Sequence, residues 1–123
     1  MKNYAQKGNS LDYLNSTGAL IPSGSPVVVG NQIGVAATDI AVGETGTVYM
    51  EEVFGLPKTA GASTAMIQGS TPVFDISAGA FVPEGTATAT GDVTGAVTCW
   101  EAAADADDMV YVKLNTGKGS IAA

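Results

Sequence analysis

Residues Ser25 to Lys58 read SPVVVGNQIGVAATDIAVGETGTVYMEEVFGLPK. Three short apolar runs lie in this stretch, Pro26–Val29, Ile33–Ala37 and Thr47–Phe54, each bounded by Gly, Asn or Asp. Short β-branched runs punctuated in this way are the mark of paired strands joined by turns. Gly30-Asn31 reads as a two-residue hairpin connection from Val27–Val29 into Gln32–Ala37, because both residue types tolerate positive φ. Thr45–Phe54 is the longest strand candidate, but neither of its faces is cleanly apolar. A strand bulged near Glu51-Glu52 accounts for that pattern. Leu56-Pro57-Lys58 ends the run, since proline has no amide hydrogen for a ladder. No residue of the stretch is an obvious nucleophile, base or metal ligand.

Outward from this unit the pattern repeats more faintly. Toward the N-terminus, Asn3–Gln6 and Leu11–Leu14 are candidate short strands, and Asn15-Ser16-Thr17-Gly18 is a turn cluster. Residues 1–23 are read as an extended polar arm with Tyr4, Leu11 and Tyr13 as anchors, able to pack on their own domain or reach a neighbouring subunit. Toward the C-terminus, Thr59–Ser70 is a small-residue loop with room for one helical turn near Ala65-Met66-Ile67. Pro72–Asp75 and Ala80–Pro83 are strands around a Ser77-Ala78-Gly79 turn. Glu84–Thr94 reads as an exposed, mobile loop, and Gly95–Trp100 and Met109–Leu114 as the last strands. The division is an arm (1–23), a β domain (24–114) and a tail (115–123). The chain also echoes itself: Ser25–Val29 in Thr71–Asp75, Gly34–Ala37 in Gly95–Thr98, and Val48–Met50 in Val110–Val112. Two sets of strands suggest two sheet layers or barrel halves packed face to face. The expected fold is therefore all-β, a small compact barrel or two-sheet sandwich, jelly-roll-like, within one domain of 123 residues.

Composition removes several functions. The net charge is −7, all five basic residues are Lys, and His and Arg are absent. A nucleic-acid partner needs a basic footprint, so direct nucleic-acid binding is not expected. Cys99 cannot form an internal disulfide and sits in an apolar run, where it reads as a small buried hydrophobe. A single free cysteine fits a reducing compartment. The opening MKNYAQKGNS lacks the apolar centre of a signal peptide, and no run has the length of a membrane span. Acid/base catalysis would fall to Asp, Glu, Lys or Tyr, with nothing marking a particular pair. Asp105, Asp107 and Asp108 suggest calcium by composition, but the glycine and distal glutamate of a calcium loop are missing, so a solvated acidic turn is expected. Few groups are available to line a ligand pocket. No catalytic, cofactor or metal residues are assigned.

The residues carry a family resemblance. Met1–Tyr4 with Gln6-Lys7-Gly8 and Leu11-Asp12-Tyr13, then Ser23-Gly24, Pro26–Gly30, Gly34-Val35-Ala36, Thr38-Asp39, Gly43-Glu44, Gly55–Lys58, Gln68-Gly69 and Val110–Leu114, together resemble the capsid cement (head-decoration) proteins of tailed phages and prophages. The chain departs from that pattern at Val73-Phe74-Asp75, where two aromatics and an acid are expected, and in the tail Asn115–Ala123. The resemblance implies a β-rich structural virion protein, not an enzyme. It would bind the outer surface of the expanded capsid, with the major capsid protein as partner and itself as homodimer or homotrimer, after synthesis in the bacterial host cytoplasm. Asn3, Tyr4, Gln6, Leu11 and Tyr13 are the candidate contacts with the capsid or a neighbour. Another β-rich virion component, a tail-tube, fibre or spike protein, is the alternative.

Overall fold

The computed structural model describes residues 3–123, so Met1 and Lys2 of the opening motif lie outside the described residues. Eleven strands and no helix are found among them: β1 (Ser10–Leu14), β2 (Pro26–Val29), β3 (Gln32–Ala36), β4 (Thr45–Tyr49), β5 (Val53–Pro57), β6 (Val73–Asp75), β7 (Ala80–Val82), β8 (Val93–Thr94), β9 (Thr98–Cys99), β10 (Met109–Lys113) and β11 (Ser120–Ile121). They form three antiparallel sheets, ordered β1-β4-β3-β2, β5-β10-β9 and β11-β8-β6-β7. The fold is all-β, as the turn-punctuated runs predict.

The β2–β3 hairpin has the expected two-residue connection, with Val29 paired to Gln32. Gly30 alone takes positive φ, +60°, which is the glycine-first arrangement of a type II′ turn. Sequence and structure part at Glu51-Glu52. Thr45–Phe54 is not one strand: Glu52 adopts φ +83°, and the chain leaves the first sheet after Tyr49 and enters the second at Val53. The bulge signal is thus a change of sheet, and it explains why neither face of the run is cleanly apolar. Pro57 closes β5 at a sheet edge, where its missing N–H costs no ladder bond.

Two cores result. In β3, Ile33 and Val35 face the larger one, with Leu56, Phe74, Phe81, Val93, Val97, Cys99, Val110 and Val112. The opposite face of the first sheet packs a smaller cluster, Val27, Ala36, Ile40, Val48 and Met50, closed by Ile21 and flanked by Leu11 and Tyr13. A strand covered on both faces reads as a continuous apolar run rather than an alternation, which is how Ile33–Ala37 reads. Phe74 and Phe81 pack edge to face at 5.2 Å between centroids, joining β6 to β7.

Buried polar side chains tie the loops. Asn15 is fully buried; its amide donates to the carbonyls of Ala19 (2.8 Å) and Ile40 (2.9 Å), and its Oδ1 accepts from the Thr17 amide and hydroxyl. Lys58 is 4% exposed, and its ammonium donates to the carbonyls of Thr59 (2.8 Å) and Asp107 (3.0 Å) and to the Thr64 hydroxyl (3.2 Å). All three N–H groups of the ammonium therefore find an acceptor, as burial of such a group requires.

Several expectations are corrected. Asn3–Gln6 forms no strand, because its would-be partner turns away: Asn9 still accepts from the Met50 amide (2.9 Å), but beyond Met50 the chain has left the sheet. Ala65-Met66-Ile67 is not a helical turn; Met66 is buried and makes an antiparallel bridge to Ala103. Glu84–Thr94 is not wholly exposed, since Asp92 and Val93 are buried and Val93–Thr94 is an inner strand of the third sheet. Asp92 accepts from the amides of Ile76 and Ala89, which fastens the preceding loop. Gly95–Trp100 shortens to Thr98–Cys99. The internal echo does not make two layers: its first copy lies within one sheet, whereas the second is divided, with β6 in the third sheet and β9–β10 in the second.

Candidate functional site: two exposed surfaces

The described residues contain no group of three or more His, Cys, Asp or Glu placed to hold a metal ion. In the acidic connection 101–108, Asp105 accepts from the amides of Thr64 (3.0 Å) and Ala65 (2.8 Å), and Asp107 from that of Ala104 (2.9 Å). Asp105 ties this connection to the 59–70 loop, and Asp107 closes its own turn. Cys99 is buried, its thiol lies 3.0 Å from the Glu101 carbonyl, and desolvation pushes its pKa up, so the thiolate form is disfavoured. What the molecule offers a partner is surface, and two surfaces stand out.

The first begins at β1, the outer strand of its sheet, which is paired to β4 on one side only. Residues 3–9 continue from it, exposed and without regular structure. The five sequence-predicted contact residues divide here. Asn3, Tyr4 and Gln6 are exposed, Tyr4 at 64%. Leu11 and Tyr13 are half-buried against the smaller core, on the face where Leu11 pairs with Val48. Tyr13 also lines an open, mainly apolar cleft of about 410 Å³ with Ile21, Val27, Phe74 and Ile76.

The second surface is the outer face of β5-β10-β9. The register sets its residues in rows: Val53 beside Lys113 and Thr98, Gly55 beside Tyr111, and Pro57 beside Met109. The Trp100 amide donates to the Tyr111 carbonyl (2.8 Å), which extends the middle row to Gly55–Tyr111–Trp100. Inward-pointing Val110 and Val112 are fully buried, while Met109 and Tyr111 remain 43% and 42% exposed, and Trp100 46%. A Cβ on Gly55 would come within 2.8 Å of Met109 Sδ and 3.2 Å of the Tyr111 ring, so the bare glycine lets both side chains lie flat across the sheet. The Lys113 ammonium sits 5.0 Å from the Trp100 ring centroid, a cation–π contact at the edge of the patch. Contiguous exposed apolar surface of this kind marks an interaction face. Met109–Leu114 reads as a strand in the sequence, but its exposed outer face does not follow from that reading. The signal was there: in Met109–Lys113 the positions of both parities are apolar up to the final lysine, a strand that has two apolar faces and one core to bury them in.

No curated protein and no solved structure matches the chain. A family model described as phage cement protein matches residues 5–114, which takes in β1 to β10 and both surfaces apart from the first residues of the arm. The chain belongs to the phage cement protein family, and is a structural virion protein that stabilises the capsid.

Proposed function

We propose that the protein sits on the outer surface of the expanded capsid, bound to the major capsid protein where its subunits meet, as a homodimer or homotrimer that braces the shell. The observation that carries this reading is the unpaired outer edge of β1, continued by the exposed segment 3–9. An unpaired edge and a free extended segment are the two halves of strand addition, in which main-chain hydrogen bonds supply affinity and alternate side chains supply specificity. Asn3, Tyr4 and Gln6 are the contacts on the free segment; Leu11 and Tyr13 hold the edge strand that presents it. Each contact is modest, and repetition over the capsid lattice multiplies the effect.

The test mixes expanded capsids lacking this protein with the full chain and with a chain lacking residues 1–8. That truncation spares the Asn9–Met50 bond and all of β1. Electron microscopy is expected to show regular density at capsomer junctions for the full chain and weak or absent density for the truncated one. Bare capsids with the full chain would overturn the proposal, and full decoration by the truncated chain would overturn the role of the segment.

A further inference from the structure

We infer that the outer face of β5-β10-β9 is a docking surface for an extended segment of a partner protein that carries a basic residue at each end of an apolar stretch. The inference goes beyond the capsid reading, which rests on the β1 edge and segment 3–9, and it is tested apart from it.

The face is wider than its three strands. Residues 66–70 run beside β9: the Met66 and Ala103 amides donate to each other's carbonyls (2.9 and 3.0 Å), and the Gly69 amide donates to the Cys99 carbonyl (2.8 Å). Met66 is buried and Ile67, next to it, is exposed, so this strip adds one more apolar side chain to the outer side.

Both ends of the face are acidic. Beyond the Pro57–Met109 row, Glu101, Asp107 and Asp108 are exposed around an open cleft of about 340 Å³ that Met109 and Tyr111 also line. Beyond the Val53–Lys113 row, Glu51 and Glu52 are exposed and line a second open cleft, about 570 Å³, with Lys113. Two lysines stand against these five carboxylates. Lys113 is turned onto the Trp100 ring, and Lys58 is buried with its ammonium held by neutral acceptors. Each end therefore keeps a net negative charge.

That pattern selects the occupant. A second copy, itself at net −7, sets acid on acid at both ends in either orientation. A polyanion is repelled in the same way. A basic and apolar polypeptide complements both features: its apolar side chains cover Met109, Tyr111 and Trp100, and its lysines or arginines reach the two clefts. The Lys58 amide donates to Asp108 and the Leu114 amide to Glu52, which sets the ends six positions apart along β5, roughly 20 Å. Exposed charges act over only ~8 Å at physiological salt, so each end needs its own basic group. In an extended segment, basic residues about six positions apart span the face with both side chains on the same side.

Trp100 is the only tryptophan of the chain and stands on this face, so its fluorescence reports occupancy. The probe is a synthetic peptide without aromatics, with two lysines about six positions apart and threonine and leucine alternating between them. It is expected to change Trp100 emission saturably, and the same peptide with glutamate for lysine to leave it unchanged. Glu51→Lys with Asp108→Lys is expected to weaken binding about tenfold. Asp12→Lys with Glu44→Lys, exposed positions at the first sheet, makes the same change in net charge and is expected to leave binding within about twofold. Added salt is expected to weaken binding to the wild-type chain without any substitution. No response to the lysine peptide, an equal response to the glutamate peptide, no effect of salt, or equal losses in the two double variants overturns the inference. A wild-type chain that binds the peptide but leaves capsids bare removes the capsid reading and leaves this one standing.

Discussion

The side-chain amide of Asn115 pairs with the backbone of Ile33 as though it were a short piece of strand. Its Oδ1 accepts from the Ile33 amide (3.1 Å), and its Nδ2 donates to the carbonyls of Ile33 (2.9 Å) and Met50 (2.6 Å). Ile33 is fully buried in the first sheet, and Asn115 follows β10 of the second, so one side chain closes the seam between two sheets 82 residues apart in sequence. Asn115 itself takes φ +53°, a conformation that asparagine tolerates better than other side-chain-bearing residues.

Asn115→Ala is therefore expected to lower unfolding stability by about 3 kcal/mol, combining three backbone groups at the seam that lose this partner with left-handed strain. Asn115→Gly removes the hydrogen bonds but not the favourable backbone. Urea unfolding of both variants separates the two contributions. A loss under 1 kcal/mol in both would show that water replaces the amide and that the seam is held by the core alone.

That seam shows where the sequence is legible and where it is not. The hairpin Pro26–Ala36 can be read because a two-residue turn and two apolar runs agree locally. Ile33–Ala37 shows its double burial as an unbroken apolar run. Val93–Thr94 and Ser120–Ile121 cannot be read, because a two-residue strand has no period and its partners lie far away in sequence. The Thr- and Ala-rich composition of 84–94 hides Val93, the buried apolar side chain that makes the end of the segment an inner strand. Asn115 is less visible still, since it acts through its side chain as a strand would through its backbone. Of the two surfaces, the arm was legible from its polarity, whereas the outer face of β10 needed the register of β5 and β9 to become a patch.

Lys58 makes a second prediction. Its ammonium fastens the loop starting at Thr59 to the acidic connection through Thr59, Thr64 and Asp107, using neutral acceptors only. Lys58→Met fills similar volume but leaves those acceptors without their donor, an expected loss of about 2–3 kcal/mol. Hydrogen exchange should show the damage concentrated at residues 59–66 and 103–108, where the Met66 and Ala103 amides donate to each other's carbonyls. A uniform increase in exchange over the whole chain would contradict this local role.

Acid sensitivity follows from two carboxylates. The Thr71 hydroxyl (2.6 Å) and amide (2.8 Å) donate to Glu84 and hold its pKa below the ordinary 4.5. The Ser77 hydroxyl and the Ala78 and Ser77 amides do the same for Asp75, below the ordinary 3.8, against a smaller opposing effect of desolvation. A carboxyl whose folded pKa is depressed binds its proton more tightly in the unfolded chain. Its stabilisation is present above the unfolded pKa and is lost as pH falls through the folded one. Stability is thus expected to fall from about pH 5 downward, and the double variant Glu84→Gln, Asp75→Asn to flatten that slope while being less stable at neutral pH. Thermal melts from pH 7 to pH 3 check it; parallel curves for wild type and variant would exclude these two groups as the source.

Glu52 is the position at which one predicted strand becomes two. With φ +83° it stands in a region that costs a side-chain-bearing residue on the order of 1–2 kcal/mol, and its carbonyl accepts from the Leu114 amide (2.9 Å). The kink carries the chain from β4 to β5, and Tyr49 stacks on Phe54 across it, with ring centroids 6.1 Å apart. Glu52→Gly relieves the strain at some entropic cost in the unfolded chain and is expected to change stability by under about 1 kcal/mol in either direction. Glu52→Val places a β-branched residue where φ is positive and is expected to destabilise by about 2 kcal/mol or more, although the site is exposed and an exposed strand position would favour valine. The ordering of the two variants is the diagnostic. If Glu52→Val proved the more stable, the chain would run as a continuous strand from Thr45 to Phe54, and the three-sheet arrangement would give way to the two-layer one that the internal echo suggests.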